Sequence, residues 1–523
     1  MIKRLKTILK ISLTLVIATF TTVVLAQGLN TLRLEVPADI DVESYHVEQV
    51  GKRGVIIFYE SNEYAPEKRR KWYFGLFDSD LNQKWLKFVP LEDKLQFEFA
   101  SSTRDAIHFF FRNTEGRRNE AGYYEIVSLN FKKNKFEQIS GTFPAKAEVM
   151  AFETLGNTAC MGINISGNQT DLLFINLDTG EINPLKLAED YPSVIEAVFA
   201  NKTDNSFYVA LKVKQDGNKL SDFIHVLNAN GKTLSVNEID NNDKSKVLRK
   251  FRFYASKNKA MAVFGVYDIH KGRPPSIDKL DNEDNPKTAG LFFFEFNKEA
   301  VKNIKFISFM KLDNIHGSIN QWRGTSGGKN TGAVETGNGR VSTFFNINKP
   351  DIRRTTGGYL FNAEVYKPHY VTETRMDYDF YGRPYPYSYS VFAGYLFFDV
   401  IIVSIDDSGN MIWNNDFVLR DLRSFSLKRH SLVFPDKNYV SAAYVNNGKI
   451  YSKTFDGRID IGSDETIIAS GNDKDRVVED ENNHIEEWYD NYFLIYGYQK
   501  INNRSLSKKD VRVVFYMNKV AYK

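Results

Sequence analysis

A pair of short apolar strands joined by a polar turn recurs along this chain at a spacing close to fifty residues. In one copy 172–177 is followed by Asp178-Thr179-Gly180 and then 181–187. In another, 223–227 is followed by 228–231 and 232–239, and in a third 400–405 by 406–409 and 410–419. The last apolar residue before each turn serves as a marker: Phe77, Leu129, Leu177, Leu227, Phe296, Ile405 and Phe455. Successive markers lie 52, 48, 50, 69, 109 and 50 residues apart. A second hairpin precedes each of these, for example 95–99 with 106–111, or 194–199 with a turn at 201–205. The period is therefore a four-stranded unit. Such a unit cannot bury both faces alone and has to stack against its copies. The residue types agree, with Phe, Tyr, Ile and Val abundant in the runs and Asn, Asp, Gly and Lys between them, which is strand and turn chemistry.

Four strands every fifty residues or so is the pattern of propeller blades. The expectation is an all-β chain with one β-propeller domain over 27–523. Eight blades is the preferred count, seven the alternative, and tandem β-sandwiches the competing architecture. The two stretched intervals are read as loop insertions near 271–287, 317–340 and 368–393. The ends fit ring closure. The last repeat supplies a hairpin at 485–498 and a third strand at 511–516, with no fourth strand after it. The segment 31–37 stands as an orphan strand before the first hairpin, so the N-terminal strand is expected to complete the last blade. Closure of that kind removes free sheet edges. The resemblance is to the propeller class in general. The Trp-Asp pair of one large repeat family is absent, since Trp85, Trp322, Trp413 and Trp488 do not precede Asp.

The first 26 residues carry Lys3, Arg4, Lys6 and Lys10, then an apolar stretch to Leu25 and a small residue at Ala26. This is the layout of a cleaved secretory signal. No cysteine follows it to carry a lipid anchor, and no second long apolar run is present, so no transmembrane segment is expected after cleavage. The expected location is the periplasm or the cell exterior. The whole chain has 69 Lys+Arg against 65 Asp+Glu. The four extra cations all fall in the first 26 residues, which leaves 27–523 formally neutral and argues against nucleic acid as a partner. The single cysteine, Cys160, lies in an apolar run and reads as a small core residue.

Catalytic chemistry leaves no short signature, and the catalytic residues are unknown at this level. The eight histidines form neither His-x-His nor His-Glu-x-x-His, so no zinc motif is seen. His108 and His225 sit inside apolar strands and read as core. No nucleophile elbow or P-loop occurs. Asp78-Ser79-Asp80 and Asp406-Asp407-Ser408 resemble the start of a calcium loop but lack its distal glutamate. Both coincide with turns, where Asp is favoured for backbone reasons. No metal and no cofactor is expected.

The segment 378–389 reads Tyr-Asp-Phe-Tyr-Gly-Arg-Pro-Tyr-Pro-Tyr-Ser-Tyr. Tyr378, Phe380, Tyr381, Arg383, Tyr385, Tyr387 and Tyr389 are the candidate binding residues, because Tyr and Arg are enriched at interaction hot spots. The alternative is that the loop folds back over its own blade. The functional reading is an exported, non-enzymatic interaction scaffold of the bacterial envelope with a protein partner. The competing reading is a carbohydrate-binding or carbohydrate-cleaving propeller, with aromatic platforms for sugar rings and paired carboxylates for cleavage.

Overall fold

The computed structural model describes residues 22–24, 31–39, 44–113, 121–166, 169–188, 191–216, 219–255, 260–270, 277, 288–297, 301, 303–313, 333–335, 341–343, 345–436, 439–468, 474–503 and 511–521. Most of the expected insertions at 271–287 and 317–340 lie outside these. The described residues form eight antiparallel sheets of four or more strands, and in seven of them the strands follow chain order. Blade 1 is Tyr45–Gln49, Val55–Tyr64, Arg70–Phe77 and Gln83–Leu91. Blades 2 to 5 follow over 95–143, 147–186, 193–239 and 246–308. Blade 6 is Asn346–Thr355, Gly358–Tyr378, Pro384–Ile405 and Met411–Ser424, and blade 7 runs over 431–467. Blade 8 has three strands of its own, Asp475–Glu487, Tyr492–Asn503 and Val511–Ala521, and takes Thr31–Pro37 as its fourth. The chain is a β-propeller with eight blades, and sandwiches are excluded by these successive four-stranded meanders.

The burial pattern explains why the middle strands defeat simple alternation. In blade 4, seven of the eight residues of 207–214 are buried, whichever way they point. A sheet packed on both faces needs an almost continuous apolar run in its inner strands. One buried cluster joins blades 2 and 3 through Phe110, Tyr124, Phe152 and Met161. Another joins blades 5 and 6 through Phe264, Phe293, Tyr359 and Phe361. The fourth strands carry the polar alternation instead: in Lys135–Phe143 only Phe143 is buried. The first strands of blades 2 to 6 and of blade 8 each carry a bulge, at Phe97/Phe99, Val149/Ala151, Ile195/Ala197, Arg249/Arg252, Asn348/Asp351 and Val477/Glu479. A bulge adds local twist.

The recurring polar turn has one mechanism. In blade 1, Asp78 Oδ1 accepts from the backbone N–H of both Asp80 and Asn82. Asn228 does the same for Asn230 and Lys232, and Asp406 for Ser408 and Asn410. Each turn places its fourth residue at positive φ: Leu81, Gly231 and Gly409. Asp and Asn are required because a short side-chain acceptor must satisfy the donors that a three-residue hairpin loop leaves unpaired. The Asp78 and Asp406 side chains thus cap turns, which is the bland one of the two roles open to them.

Contact clustering separates two compact units, one of residues 1–90, 443–451 and 464–523 and one of 91–442 and 452–463. The first holds blade 1, blade 8 and the N-terminal strand. Leu34 and Val36 are fully buried there with Tyr45, Val55, Phe77, Trp488, Tyr498, Phe515 and Met517. Tyr45 N–H donates to Tyr498 Oη at 2.8 Å, and Trp488 Nε1 donates to the Gly54 carbonyl at 3.1 Å. The short strand Thr22–Val24 pairs on the outer side of Thr31–Pro37.

At the centre of the N-terminal strand lies Arg33, only 3 % exposed. Its guanidinium donates to Gln499 Oε1 at 2.8 Å, Asn518 Oδ1 at 3.1 Å and Glu35 Oε1 at 2.8 Å, and it lies 4.7 Å from the Tyr516 ring centre. Removing a buried charge that satisfies several acceptors costs about 3 kcal/mol or more. Arg33→Ala should lower the denaturation free energy by that order in a urea titration. A midpoint unchanged from the parent chain would show that the strand is held by its backbone bonds alone.

Candidate functional site

The candidate residues lie in blade 6, and the local structure differs from the expected irregular loop. Strands two and three of that blade run on as one long hairpin, Gly358–Tyr378 with Pro384–Ile405. The first strand of the blade leaves the pairing at Tyr366 and the fourth at Tyr395. From Tyr370 and Phe392 outward the two central strands pair only with each other, in register Glu373↔Tyr389, Arg375↔Tyr387, Asp377↔Tyr385 and Tyr378↔Pro384. The physical reason is the alternation in Val371-Thr-Glu-Thr-Arg-Met-Asp and in Tyr385-Pro-Tyr-Ser-Tyr, a period-two pattern that belongs to a ribbon with two different faces.

The tip repeats the turn of the blades. Asp379 N–H donates to the Arg383 carbonyl at 3.0 Å, Asp379 Oδ1 accepts from the N–H of Tyr381 and Arg383 at 2.8 Å each, and Gly382 sits at φ 73°. The bond from Asp379 to Arg383 fixes the alternation of the whole ribbon. Asp377/Tyr385, Arg375/Tyr387 and Glu373/Tyr389 are the hydrogen-bonded pairs, and Tyr378/Pro384, Met376/Pro386 and Thr374/Ser388 are the pairs between them. Pro384 and Pro386 therefore occupy positions whose missing N–H would have pointed away from the partner strand, where proline is tolerated.

All seven candidate residues sit on this ribbon. Tyr385, Tyr387 and Tyr389 line one face, with Asp377, Arg375 and Glu373 directly across. Tyr389 Oη donates to Glu373 Oε2 at 2.9 Å. The Tyr387 and Tyr389 rings are nearly parallel at 6.0 Å, and the Arg375 guanidinium lies 5.5 Å from the first and 5.6 Å from the second. Tyr378 lies on the opposite face with Met376. Phe380 and Tyr381 form the tip, edge to face at 5.6 Å, with Arg383 5.9 Å from the Tyr381 ring. The ribbon does not fold back over its blade: Phe380 is 96 % exposed, Tyr381 80 % and Tyr378 66 %. The residues missed in the sequence reading are Glu373, Arg375 and Asp377, although their alternation with Thr372, Thr374 and Met376 was the signal for a strand.

Other titratable groups in the same unit serve the fold. Buried Glu364 accepts from the N–H of His430 and Ser431, from Ser431 Oγ and from Asn348 Nδ2, between 2.6 and 2.9 Å. Buried Asp222 pairs with Lys212, and Asp268 accepts from Thr288 Oγ1 at 2.8 Å. His108 shares a 2.7 Å hydrogen bond with Ser128 and, like His225, is buried, which lowers both imidazoles to about 4. Cys160 is fully buried and its thiol is pushed up by burial, so the core reading holds. Among the described residues no cluster of three His, Cys, Asp or Glu side chains is arranged to hold a metal ion.

One buried acid near the root of the ribbon stands apart. Asp399 is 1 % exposed, and burial, with Asp416 adding to it, raises its carboxyl well above the usual range. A carboxyl raised in the folded state stabilises the fold while protonated, below about pH 4. That contribution is lost as pH climbs toward the folded value. Asp399→Asn should therefore raise the melting temperature, with a larger gain at about pH 8 than at about pH 5. Equal gains at the two pH values would show that Asp399 ionises without cost.

Comparison with protein-family models finds no match, and comparison with curated proteins finds none either. Solved structures give distant likenesses. The β-propeller domain of the Trilobed protease from Pyrococcus furiosus matches at 8 % identity over 82 % of this chain and 100 % of that one, with a TM-score of 0.34. A protein of unknown function from Bacteroides caccae matches at 12 % identity over 72 % and 94 %, with a TM-score of 0.27. Oligopeptidase B from Trypanosoma brucei matches at 12 % identity over 66 % of this chain and 44 % of its own, with a TM-score of 0.32. None of these extends to an activity, and the eight-bladed architecture rests on this chain's own sheets.

Proposed function

We propose that this chain is an exported, non-enzymatic interaction scaffold of the bacterial cell envelope, and that the blade 6 ribbon is where its protein partner docks. The observation that carries the reading is the exposure of an ordered aromatic ribbon. Tyr378, Phe380, Tyr381, Tyr385 and Tyr387 are each more than 40 % exposed on a two-stranded element that no further strand among the described residues extends. Large aromatic side chains left in water on a preorganised backbone are the makings of a hot spot, because Tyr brings contact area with few rotamers to freeze. The face that offers three tyrosines also offers Glu373, Arg375 and Asp377, which suits a segment with both apolar and charged side chains. Export is supported by the basic and then apolar pattern of the first 26 residues. Among the described residues no helix is long and apolar enough to cross a membrane.

The test is affinity purification of the tagged chain from its host with crosslinking and mass spectrometry. The expected result is a stoichiometric envelope protein crosslinked within 376–391. Replacing Tyr387 and Tyr389 together by Ser should weaken that complex by about 2 kcal/mol, roughly thirtyfold, with no change in melting temperature. Full capture by a chain lacking 376–391 would contradict the reading. The parallel rings of Tyr387 and Tyr389 are also a platform on which a sugar ring can stack. Binding on a glycan array that the same double substitution abolishes would move the assignment from protein partner to carbohydrate.

A further inference from the structure

A two-stranded ribbon has two edges, and in this one the edges are not alike. The hydrogen bond from Asp379 N–H to the Arg383 carbonyl sets which backbone groups point inward and which point out. On the edge formed by 384–390, the outward positions are Pro384, Pro386, Ser388 and Ser390. Two of its four outward donors are deleted by proline. Prolines at an edge are a standard means of preventing further strand addition. On the other edge the outward positions are Thr372, Thr374, Met376 and Tyr378. It carries no proline, no lysine and no bulge between Thr372 and Tyr378; Thr372, Thr374 and Met376 each present both an N–H and a C=O outward, while the Tyr378 N–H turns to Asp377 Oδ1 at 3.0 Å. One edge is blunted and the other is left as a template.

We infer that this open edge pairs with the same edge of a second copy of the chain, antiparallel about a twofold axis at Thr374, to form a four-stranded sheet from two ribbons. The inference rests on the reading of the ribbon as an interaction element and names one occupant for its edge. The argument is register and charge. Two identical antiparallel edges can meet only where outward groups face outward groups, which leaves few registers. Centred on Glu373, the pairing sets Glu373 against its own copy. Centred on Arg375, it sets Arg375 against its own copy and Glu373 against Asp377 of the other chain. Centred on Met376, it brings Arg375 to Asp377 but also Glu373 to Asp379. Centred on Thr374, it sets Glu373 against Arg375 twice over, Thr374 against Thr374, Thr372 against Met376 and Tyr370 against Tyr378. Opposite charges, paired threonines and paired aromatics are the favourable cross-strand neighbours, and like charges directly opposite are unfavourable. Of these four registers only this one has no like-charged pair among these residues.

The axis stands perpendicular to the sheet, so both copies present the same face. Tyr385, Tyr387 and Tyr389 of the two ribbons then lie on one side of one continuous sheet, and the aromatic face proposed for partner binding is doubled. The isologous contact closes on itself, since each ribbon has only one open edge.

Sedimentation velocity of the full chain over a range of concentrations, with charge-swap variants, tests this. The parent chain should show a monomer–dimer equilibrium. Glu373→Arg alone sets Arg against Arg375, and Arg375→Glu alone sets Glu against Glu373, so each should weaken the dimer roughly tenfold or more. The double variant Glu373→Arg with Arg375→Glu restores opposite charges and should recover dimerisation. That recovery also separates lost pairing from a damaged ribbon. A parent chain that stays monomeric at every concentration, or a dimer indifferent to Arg375→Glu, would overturn the inference. The partner reading is tested separately by crosslinking of the Tyr387 and Tyr389 variant: a monomeric chain that still needs these tyrosines to capture its partner refutes the edge pairing and leaves the docking face standing.

Discussion

The backbone pairing of Thr31–Pro37 with Val511–Ala521 is the contact on which the order of this molecule depends. Blades 1 to 7 are local structures built from strands that follow one another in sequence. Blade 8 is not, because its fourth strand comes from the other end of the chain, and the Arg33 to Asn518 hydrogen bond spans 485 residues. Loop closure over such a distance costs entropy that grows only slowly with length, and the N-terminal strand offsets it with a full ladder, buried Leu34 and Val36, and the Arg33 hydrogen bonds. Without that strand, Val511–Ala521 would be a sheet edge, and blade 1 would lose the surface on which Tyr45 and Val55 pack.

The strand that completes blade 8 was legible because an orphan strand at one end and a missing one at the other are complementary absences. The period was legible for a related reason. The Asx-capped turn needs a particular short side chain at a particular place, so Asp78, Asn228 and Asp406 mark it in the sequence as plainly as in the structure. The inner strands were read correctly as strands but with no inside and outside, since burial on both faces erases the alternation that sequence reasoning relies on. The bulges left no signal, because an extra residue in a first strand does not change residue type in any regular way.

The ribbon was half legible. Its aromatic excess was visible, but Tyr-Pro-Tyr-Ser-Tyr next to a Gly-Arg-Pro turn reads as a loop when proline is taken as a strand breaker. At Pro384 and Pro386 proline breaks nothing, because their missing donors point away from the partner strand. The same two residues that hid the strand explain why one of its edges is closed. Glu373, Arg375 and Asp377 escaped notice because charged residues at alternate positions look like an ordinary solvated strand until the register sets them beside tyrosines.

Residue-resolved amide hydrogen exchange over 370–392 is the most direct test of the claim that this segment is an ordered ribbon with one open edge. The account requires slow exchange at Glu373, Arg375, Asp377, Tyr385, Tyr387 and Tyr389, whose N–H groups face the partner strand. It requires fast exchange in dilute solution at Thr372, Thr374 and Met376, whose N–H groups face out, slowing as the protein is concentrated. Uniformly fast exchange across the segment would contradict the ribbon itself, and alternating protection with no concentration dependence would contradict the pairing of its edge.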